Sequence, residues 1–269
     1  MPTIKSPLRY PGGKSRAVKF LAQQLPVFQE YREPFVGGGS LFVHCQQNFP
    51  ECTFWINDLY TELYRLWHGM QVAPTEVLEQ IWIWRRQYAH NGRALYQFLT
   101  KGLSDFSPME TASAFFILNR ITFSGTSESG GYSKQAFERR FTTSSITRLE
   151  QIIPLLKSVH ITNLDYSEVV LAAGERVFIF LDPPYYSATK SALYGKKGNF
   201  HKGFDHERFA ATMRQCPHRW MITYDDSTYI RSLFDFANIK EWQLTYGMRN
   251  VNKDGQQRQG ELLITNFWK

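Results

Sequence analysis

The sequence lacks the features that mark secreted and membrane-spanning proteins. It has only three cysteines, Cys45, Cys52 and Cys216, an odd set without metal-ligand spacing, which favours buried, reduced thiols over disulfides. No apolar run approaches the ~20 residues that cross a membrane, and no N-terminal segment resembles a signal peptide. We therefore predict a cytoplasmic protein without a metal site.

Internal repeats and low-complexity segments are also missing. With 269 residues the chain fits one large domain, or one domain with an insertion, and its 43% of hydrophobic residues is ample for a core. The net charge of +7 is compatible with a polyanionic partner. Since many basic proteins bind no nucleic acid, the charge alone leaves the partner open.

The chain is organised around residues 177–185, V-F-I-F-L-D-P-P-Y. Its first five residues are apolar and rich in β-branched and aromatic types, which predicts a strand that is buried on both faces. The two prolines end this strand, because neither can donate a ladder hydrogen bond. We therefore expect Asp182 and Tyr185 just past the carboxyl end of a central strand, where open α/β sheets bind their ligands.

The tetrapeptide D-P-P-Y suits chemistry on an aromatic amine such as N6 of adenine. That nitrogen is a poor nucleophile, and acceptors for its N–H groups favour the tetrahedral geometry of the transition state. Asp182 can supply one acceptor and the Pro183 carbonyl another, while Tyr185 offers a stacking face worth ~1–3 kcal/mol per base. A strand that ends in an Asp-Pro turn with a buried tyrosine fits the same residues.

The N-terminal segment contains a turn signal, Pro11-Gly12-Gly13, which a helical pattern follows to about Leu25. A phosphate-binding loop is excluded, because its motif needs a glycine where Leu8 stands. Tyr10 and Lys14 form a polar-aromatic pair beside this turn. On their own they favour a surface turn over a binding site.

A run of glycines, Gly37, Gly38 and Gly39, follows a short strand predicted at residues 33–36. Glycines between a strand and a helix allow a ligand to approach the backbone closely. Their spacing is not G-x-G-x-x-G, which argues against a dinucleotide site. Many such loops are only tight turns.

Acidic residues end two further predicted strands. Asp58 lies 21 positions after Gly37, where an acid suits the diol of a ribose. Capping of the next helix, residues 59–70, by Asn57 or Asp58 is expected in either case. Asp165 ends a later strand and is a further candidate for the same site.

Residues 74–119 are predicted to be largely helical from the spacing of their apolar side chains. Residues 121–140 change character, with glycines, serines and basic residues that predict a hairpin or mobile loop. Such a segment can enter a DNA groove, with Lys134, Arg139 and Arg140 at phosphates or bases. An ordinary solvated loop is the alternative.

The C-terminal half alternates strands and helices. A long basic loop at residues 187–203 separates the central strand from a helix that Asp205 is expected to cap. The last two strands, at residues 239–246 and 261–267, are predicted to form an antiparallel pair on an otherwise parallel sheet. This alternation puts the glycine loop and the acids that end the strands on one edge of the sheet.

Together these motifs resemble the Dam-type DNA adenine-N6 methyltransferases of the D12 class. The resemblance covers nearly the whole chain, and the order and spacing of the motifs are far more specific than D-P-P-Y alone. The motifs are Y-P-G-G-K (residues 10–14), E-P-F-V-G-G-G-S-L-F (33–42), N-D (57–58), D-P-P-Y (182–185) and G-E-L-L-I-T-N-F (260–267).

The resemblance implies a class I S-adenosylmethionine-dependent methyltransferase fold. This is a Rossmann-like α/β fold whose mostly parallel sheet has an antiparallel terminal strand. Residues 1–58 and 157–269 would form the catalytic methyltransferase domain. Residues 59–156 would form an inserted, mainly helical domain that recognises the target.

The resemblance also implies a role for individual residues. Asp182, Pro183 and Tyr185 would hold the flipped target base and promote methyl transfer. The cofactor S-adenosylmethionine would contact Tyr10, Lys14, Glu33, Phe35, Gly37, Gly38, Gly39, Asp58, Asp165 and Tyr166. Double-stranded DNA would contact Arg120, Ser124, Lys134, Arg139, Arg140, Lys197, Arg249, Lys253 and Arg258.

The implied activity is site-specific methylation of adenine N6 in duplex DNA by a bacterial or phage-encoded monomer. A cognate restriction endonuclease is a candidate partner. Members that read G-A-T-C carry an Asn-Gly-Leu-x-Arg-like hairpin after Asn-Arg, whereas Asn119-Arg120 here precedes I-T-F-S-G-T-S. The recognised DNA sequence is therefore open, and the catalytic assignment is not affected.

Three other functions compete with this one. Methylation of RNA is not excluded by the charge. Methylation of a protein glutamine is disfavoured, because such enzymes usually carry Asn-Pro-Pro-Tyr, with asparagine in place of Asp182. A DNA-binding protein that has lost catalysis is disfavoured by the intact Tyr10, Lys14, Asp58, Asp182 and Tyr185.

Overall fold

The structure, a computed structural model, describes residues 3–10, 13–123, 131–187, 203–242 and 260–268. Within these ranges, seven strands form one sheet. The strands are β1 (Glu30–Glu33), β2 (Thr53–Asn57), β3 (His160–Thr162), β4 (Val177–Leu181), β5 (Arg219–Asp225), β6 (Asn238–Trp242) and β7 (Glu261–Thr265). Their order across the sheet is β3-β2-β1-β4-β5-β7-β6.

The pairing of the strands confirms the predicted fold class. Strands β1 to β5 pair in parallel, whereas β7 runs antiparallel to both of its neighbours, β5 and β6. The strand order changes direction between β1 and β4. At such a switch point the connections leave the sheet to opposite sides, and a ligand crevice opens at the carboxyl ends of the strands.

Strand β1 lies earlier in the chain than expected. The sequence predicted a strand at residues 33–36, but β1 spans Glu30–Glu33. Pro34 has no N–H group and therefore ends the ladder, which leaves the following residues free to form a loop. The polar appearance of E-Y-R-E concealed the strand.

Arg32 explains how such a polar segment becomes a central strand. Its side chain is 1% exposed, and its guanidinium donates to the Glu30 carboxylate at 2.6 Å. It also donates to the carbonyls of Val169, Ala172 and Ala173 at 2.7–2.9 Å. Each of these partners satisfies part of a buried charge, so Arg32 can occupy the interior of the sheet.

The helices alternate with these strands. A short 3-10 turn at Lys14–Arg16 precedes the first of them. The helices are α1 (Val18–Ala22), α2 (Ser40–Asn48), α3 (Thr61–Val72), α4 (Pro74–Gln87), α5 (Gly92–Gly102), α6 (Pro108–Ile121), α7 (Lys134–Arg140), α8 (Thr143–Glu150), α9 (Ile153–Leu156), α10 (Tyr166–Leu171), α11 (His206–Gln215) and α12 (Thr228–Leu233). None of the helices in the described ranges is long and apolar enough to cross a membrane.

Strand β4 is buried at every position, as predicted. Phe178 and Phe180 join a core that includes α2 and the helices between β2 and β3. Val177, Ile179 and Leu181 point to the opposite core, under α10, α11 and α12. Helices therefore cover both faces of the sheet, which explains why β4 reads as a continuous apolar run.

The helices α3 to α9 occupy the chain between β2 and β3 and confirm that residues 74–119 are largely helical. Helix α6 is the most enclosed, since every residue from Thr111 to Ile121 is buried. Its buried side chains belong to the same core as the adjacent face of the sheet. A separate domain at residues 59–156 stays a prediction.

The segment at residues 121–140 is only in part the expected hairpin or loop. Thr122 and Tyr132 form an isolated antiparallel bridge. Helix α7 follows, with the Ser133 side chain capping its first turn. Lys134, Arg139 and Arg140 therefore lie on a helix, because Ser133 supplies a cap that the Gly- and Ser-rich composition concealed.

Candidate active site

A cavity of about 480 Å³ opens at the carboxyl edge of the sheet, between the ends of β1 and β4. Its size is typical of a pocket for a small molecule or cofactor. Every residue predicted for catalysis or for the cofactor lines it: Tyr10, Lys14, Glu33, Phe35, Gly37, Gly38, Gly39, Asp58, Asp165, Tyr166, Asp182, Pro183 and Tyr185. The structure thus brings together residues that lie far apart in the sequence.

The glycine loop is shaped by two aromatic rings as well as by the cavity. Gly37 has a φ of +46° and Gly39 a φ of +61°, values that side chains disfavour. A Cβ on Gly37 would lie 2.9 Å from the ring of Tyr10, and one on Gly39 would lie 2.9 Å from Trp67. The Trp67 indole N–H also donates to the Gly37 carbonyl at 3.1 Å. The loop therefore needs glycine for its own packing.

Asp58 holds this loop in place instead of capping a helix. Its Oδ2 accepts from the Gly37 N–H at 3.0 Å, and its Oδ1 accepts from the Tyr60 N–H at 3.0 Å. Helix α3 begins at Thr61, with Tyr60 at its N-cap and without a side-chain cap. The predicted cap by Asn57 or Asp58 is therefore wrong, because the helix begins three residues after Asp58 and the Asp58 carboxylate bonds to the N–H groups of Gly37 and Tyr60 instead.

Asn57 also bonds away from the helix. Its amide donates to the carbonyls of Pro34 and Leu164 at 3.0 Å each. Its side-chain oxygen accepts from the Leu164 N–H at 2.8 Å. These bonds tie the ends of β1 and β3 together and fix the cavity wall.

The carboxyl groups of Glu33 and Asp58 titrate near neutral pH. Burial, together with the charges of Asp182 and Asp58, raises the pKa of Glu33 to about 8, although a hydrogen bond from Tyr31 opposes the shift. Burial raises the pKa of Asp58 to about 6, in part offset by the N–H groups of Tyr60 and Gly37. These two acidic side chains thus lie at the cavity without an ion-pair partner among the described residues.

Asp182 forms a partly buried ion pair with Lys14. The Lys14 ammonium donates to Oδ1 at 2.8 Å and to Oδ2 at 2.9 Å, and it lies 4.8 Å from the centre of the Tyr185 ring. Lys14 is 5% exposed. A surface turn, which the local sequence favoured, is therefore wrong, because Lys14 has a partner 168 positions away.

Residues that the sequence did not single out support D-P-P-Y. Thr223 donates to Asp182 Oδ1 at 2.7 Å, and the Tyr185 hydroxyl lies 3.4 Å from Glu261. The Asp225 carboxylate accepts from the N–H groups of residues 186 and 187, each at 2.8 Å. The ends of β5 and β7 thus hold the tetrapeptide in place.

Asp165 and Tyr166 lie at the start of α10, beside Phe35. Asp165 caps this helix by accepting from the Ser167 N–H at 3.0 Å, and it pairs with Arg208 at 2.8 Å. Burial raises the pKa of Asp165, but the hydrogen bonds from Arg208 and Ser167 outweigh it and lower the pKa overall. The Arg208 guanidinium also lies 5.2 Å from the centre of the Tyr166 ring. Arg208 was missed because it is on a distant helix.

The predicted DNA-contact residues are only partly described. Arg120 is buried, and its guanidinium lies 5.4 Å from the centre of the Phe116 ring. Burial, together with the charges of Arg148, Arg9 and Arg140, lowers the pKa of Arg120 to about 10. Exposed residues on α7 include Lys134 and Arg139. Outside the described residues lie Ser124, Lys197, Arg249, Lys253 and Arg258.

The chain is similar in sequence to known methyltransferases. It is 23% identical to a Type II methyltransferase, M1.LlaDCHI of Lactococcus lactis subsp. cremoris, over 96% of this chain and 94% of that protein. It is 22% identical to a DNA adenine methylase of Vibrio cholerae serotype O1, over 93% of this chain and 91% of that protein. A DNA N-6-adenine-methyltransferase of Escherichia phage P1 is 22% identical over 94% of this chain and 34% of its own length.

A family model matches residues 10–248 of the chain. This range includes the glycine loop, the helices between β2 and β3, and D-P-P-Y. The model describes the D12 class N6 adenine-specific DNA methyltransferases. Because the match spans most of the chain, and the sheet has the expected strand directions, this protein belongs to the D12 class of N6 adenine-specific DNA methyltransferases.

Proposed function

We propose that this protein transfers a methyl group from S-adenosylmethionine to N6 of an adenine flipped out of duplex DNA. The observation that carries the proposal is that D-P-P-Y shares one cavity with the glycine loop, Asp58 and Asp165. The proposed site for a nucleoside-bearing cofactor and the proposed site for a target base would thus be next to each other. The methyl group has only a short distance to move.

The residues of the cavity fit this cofactor. S-Adenosylmethionine, when bound, supplies an electrophilic methyl group on a sulfonium. Glu33 is buried without an ion-pair partner among the described residues, so its carboxyl suits a cationic ligand group. Asp58 would accept from the ribose hydroxyls, and the rings of Phe35 and Tyr166 suit the cofactor adenine.

Asp182, Pro183 and Tyr185 would act on the target base. The Asp182 carboxylate and the Pro183 carbonyl would accept from the N6 amine, while the ring of Tyr185 stacks on the base. Positive charge that develops on N6 then lies beside a carboxylate that the protein has already oriented. Extrusion of the base from the duplex costs a few kcal/mol, which these contacts offset.

A cluster of arginines supports DNA as the substrate. Arg9, Arg120, Arg140 and Arg148 lie close enough for their charges to lower the pKa of Arg120. Within the described residues, none of these four forms an ion pair with a carboxylate. Phosphates would neutralise such a cluster. The segment 59–156, which contributes three of its members, would therefore recognise the target.

The partners form part of the same proposal. Action as a monomer is the simplest form of this proposal. The relative from Lactococcus is named a Type II methyltransferase, which supports a cognate restriction endonuclease as partner. The relative from Vibrio is named a DNA adenine methylase, so a role without an endonuclease is the other outcome to test.

The experiment that tests the proposal maps N6-methyladenine across the genome of a methylation-free bacterial host. The host expresses either the wild-type protein or Asp182→Ala. We expect a short sequence to be methylated by the wild-type protein and not by the variant. Absence of DNA methylation with both, from protein that binds S-adenosylmethionine, would contradict the proposal and make RNA the next substrate to assay.

A further inference from the structure

Thr223 lies next to the catalytic tetrapeptide although the two are far apart in the sequence. Strand β5 pairs in parallel with β4, with Leu181 beside Ile222. The residues that follow these two, Asp182 and Thr223, therefore lie side by side at the carboxyl edge of the sheet. Thr223 is fully buried, and its hydroxyl donates to Asp182 Oδ1 at 2.7 Å.

The contacts of the Asp182 carboxylate are unequal on its two oxygens. An ionised carboxylate offers about four acceptor positions, two on each oxygen. Among the described residues, Oδ1 accepts from Lys14 and from Thr223, whereas Oδ2 accepts only from Lys14. One acceptor position, on Oδ2, is therefore left for the target amine.

The rotation of a carboxylate group about its last bond is poorly fixed by the side chain itself, because that torsion has broad minima. A hydrogen-bond donor on another residue is therefore needed to hold the plane of the Asp182 carboxylate in one orientation. Lys14 contacts both oxygens and thus does not distinguish them. Thr223 contacts only Oδ1 and, from a rigid central strand, determines which oxygen points away from the sheet.

The residue after Thr223 on β5 contacts the other end of the tetrapeptide. The ring of Tyr224 stacks on the ring of Tyr185 with the planes 28° apart, and the Tyr185 hydroxyl lies 3.4 Å from Glu261 at the start of β7. Strand β5 therefore supports both the acceptor for the N6 amine and the ring that would stack on the base. Thr223 itself is not among the residues that line the cavity.

We propose that Thr223 is a positioning residue for the methyl transfer: its hydroxyl holds Oδ1 of Asp182 against the sheet and so leaves Oδ2 to accept from N6. This inference rests on the proposed function. A merely structural role would be the satisfaction of buried polar atoms, with no consequence for the chemical step. The two roles differ in what a substitution changes.

The test compares Thr223→Val, which keeps the shape and removes the donor, with Thr223→Ser, which keeps the donor. Thr265→Val is the matched control, because Thr265 is on the same sheet and its hydroxyl bonds to the Phe267 carbonyl. Single-turnover rates are measured with genomic DNA from a methylation-free host. S-Adenosylmethionine affinity, KM for DNA and thermal midpoint are measured in parallel.

We expect the single-turnover rate of Thr223→Val to fall about 10-fold to 100-fold, the effect of a misplaced catalytic group. Cofactor affinity and KM for DNA stay within about two-fold of the wild-type values. Thr223→Ser recovers most of the rate, and Thr265→Val keeps the wild-type rate.

Two results would overturn the inference. One is a wild-type rate in Thr223→Val. The other is a loss of rate that Thr223→Ser shares, together with lower cofactor affinity or a lower thermal midpoint, which indicates a structural role. If the wild-type protein is inactive, the proposed function is overturned, and this inference with it. The wild-type rate is measured before any variant is compared, so this outcome is distinguished from a failure of the inference alone.

Discussion

The ion pair between Lys14 and Asp182 concentrates charge at the centre of the cavity. Lys14 is almost fully buried, and Asp182 is 21% exposed. Removal of one member of such a pair leaves the other without compensation, which costs more than the pair contributes as a whole. We therefore expect the loss of Lys14 to affect the stability of the protein as well as its activity.

We expect Lys14→Met to lower the free energy of unfolding by about 1–3 kcal/mol, because a carboxylate loses its partner. The matched control is Lys134→Met, since Lys134 is 81% exposed and lies 3.8 Å from Glu138. A weak surface pair of this kind changes stability by less than about 0.5 kcal/mol. Urea denaturation of both variants checks the difference, and equal losses would contradict the account.

Glu33 makes the stability of the protein depend on pH. Its pKa is about 8 in the folded protein against an ordinary value of 4.5, so between these values the folded state binds more protons than the unfolded state. The free energy of unfolding therefore falls as the pH rises from about 5 to about 8, and the contribution of Glu33 levels off above that range.

Glu33→Gln removes this titration, so we expect a shallower fall in stability between pH 5 and pH 8 than in the wild-type protein. Denaturant midpoints measured across this range check the slope. Glu79→Gln is the control, because Glu79 is exposed on α4 and should keep the wild-type slope. A slope unchanged by Glu33→Gln would show that Glu33 is ionised in the folded protein.

At the scale of elements, the turn from β1 to α2 determines the shape of the cavity. Gly39 has a positive φ, and a Cβ there would lie 2.9 Å from the Trp67 ring. We expect Gly39→Ala to lose about 1–3 kcal/mol of stability. Gly131→Ala is the control, because, apart from its chain neighbours, no atom of the described residues lies within 4 Å of its added Cβ. Thermal unfolding of the two variants compares them, and an unimpaired Gly39→Ala would contradict this role for the turn.

Elements with a local signal could be predicted from the sequence. Strand β4 has a continuous apolar run that ends in prolines, and both its burial and its end are confirmed. Strand β1 was misplaced, because Arg32 is buried by carbonyls some 140 positions away that no local pattern reveals. The tetrapeptide D-P-P-Y could also be identified from the sequence, because its residues are contiguous.

Residues of the site could be predicted from the sequence only where they belong to a contiguous motif. The residues of the glycine loop and of D-P-P-Y all reach the cavity. Thr223 and Arg208 were missed, because their contacts depend on strand register and helix placement. Asp58 was correctly found at the cavity, but its bond to Gly37 follows from the three-dimensional course of the loop.

At the scale of the whole molecule, the arginine cluster predicts how DNA binding depends on salt. Each lysine or arginine that neutralises a phosphate contributes about one to the slope of log affinity against log salt concentration. We expect the double variant Arg140→Gln/Arg148→Gln to reduce that slope by about 2. Arg214→Gln is the control, because Arg214 pairs with Asp235. Fluorescence anisotropy with duplex DNA measures the slopes, and equal slopes would exclude the cluster from the DNA interface.

The proposed activity requires D-P-P-Y to direct a methyl group to N6 of adenine in DNA. The most direct test is incubation of the purified protein with S-adenosylmethionine that carries a deuterated methyl group, together with unmethylated duplex DNA or RNA. Nucleosides are then separated and identified by mass spectrometry. We expect labelled N6-methyldeoxyadenosine from duplex DNA with the wild-type protein and none with Asp182→Ala. Label on cytosine, label only in RNA, or equal label with Asp182→Ala would contradict it.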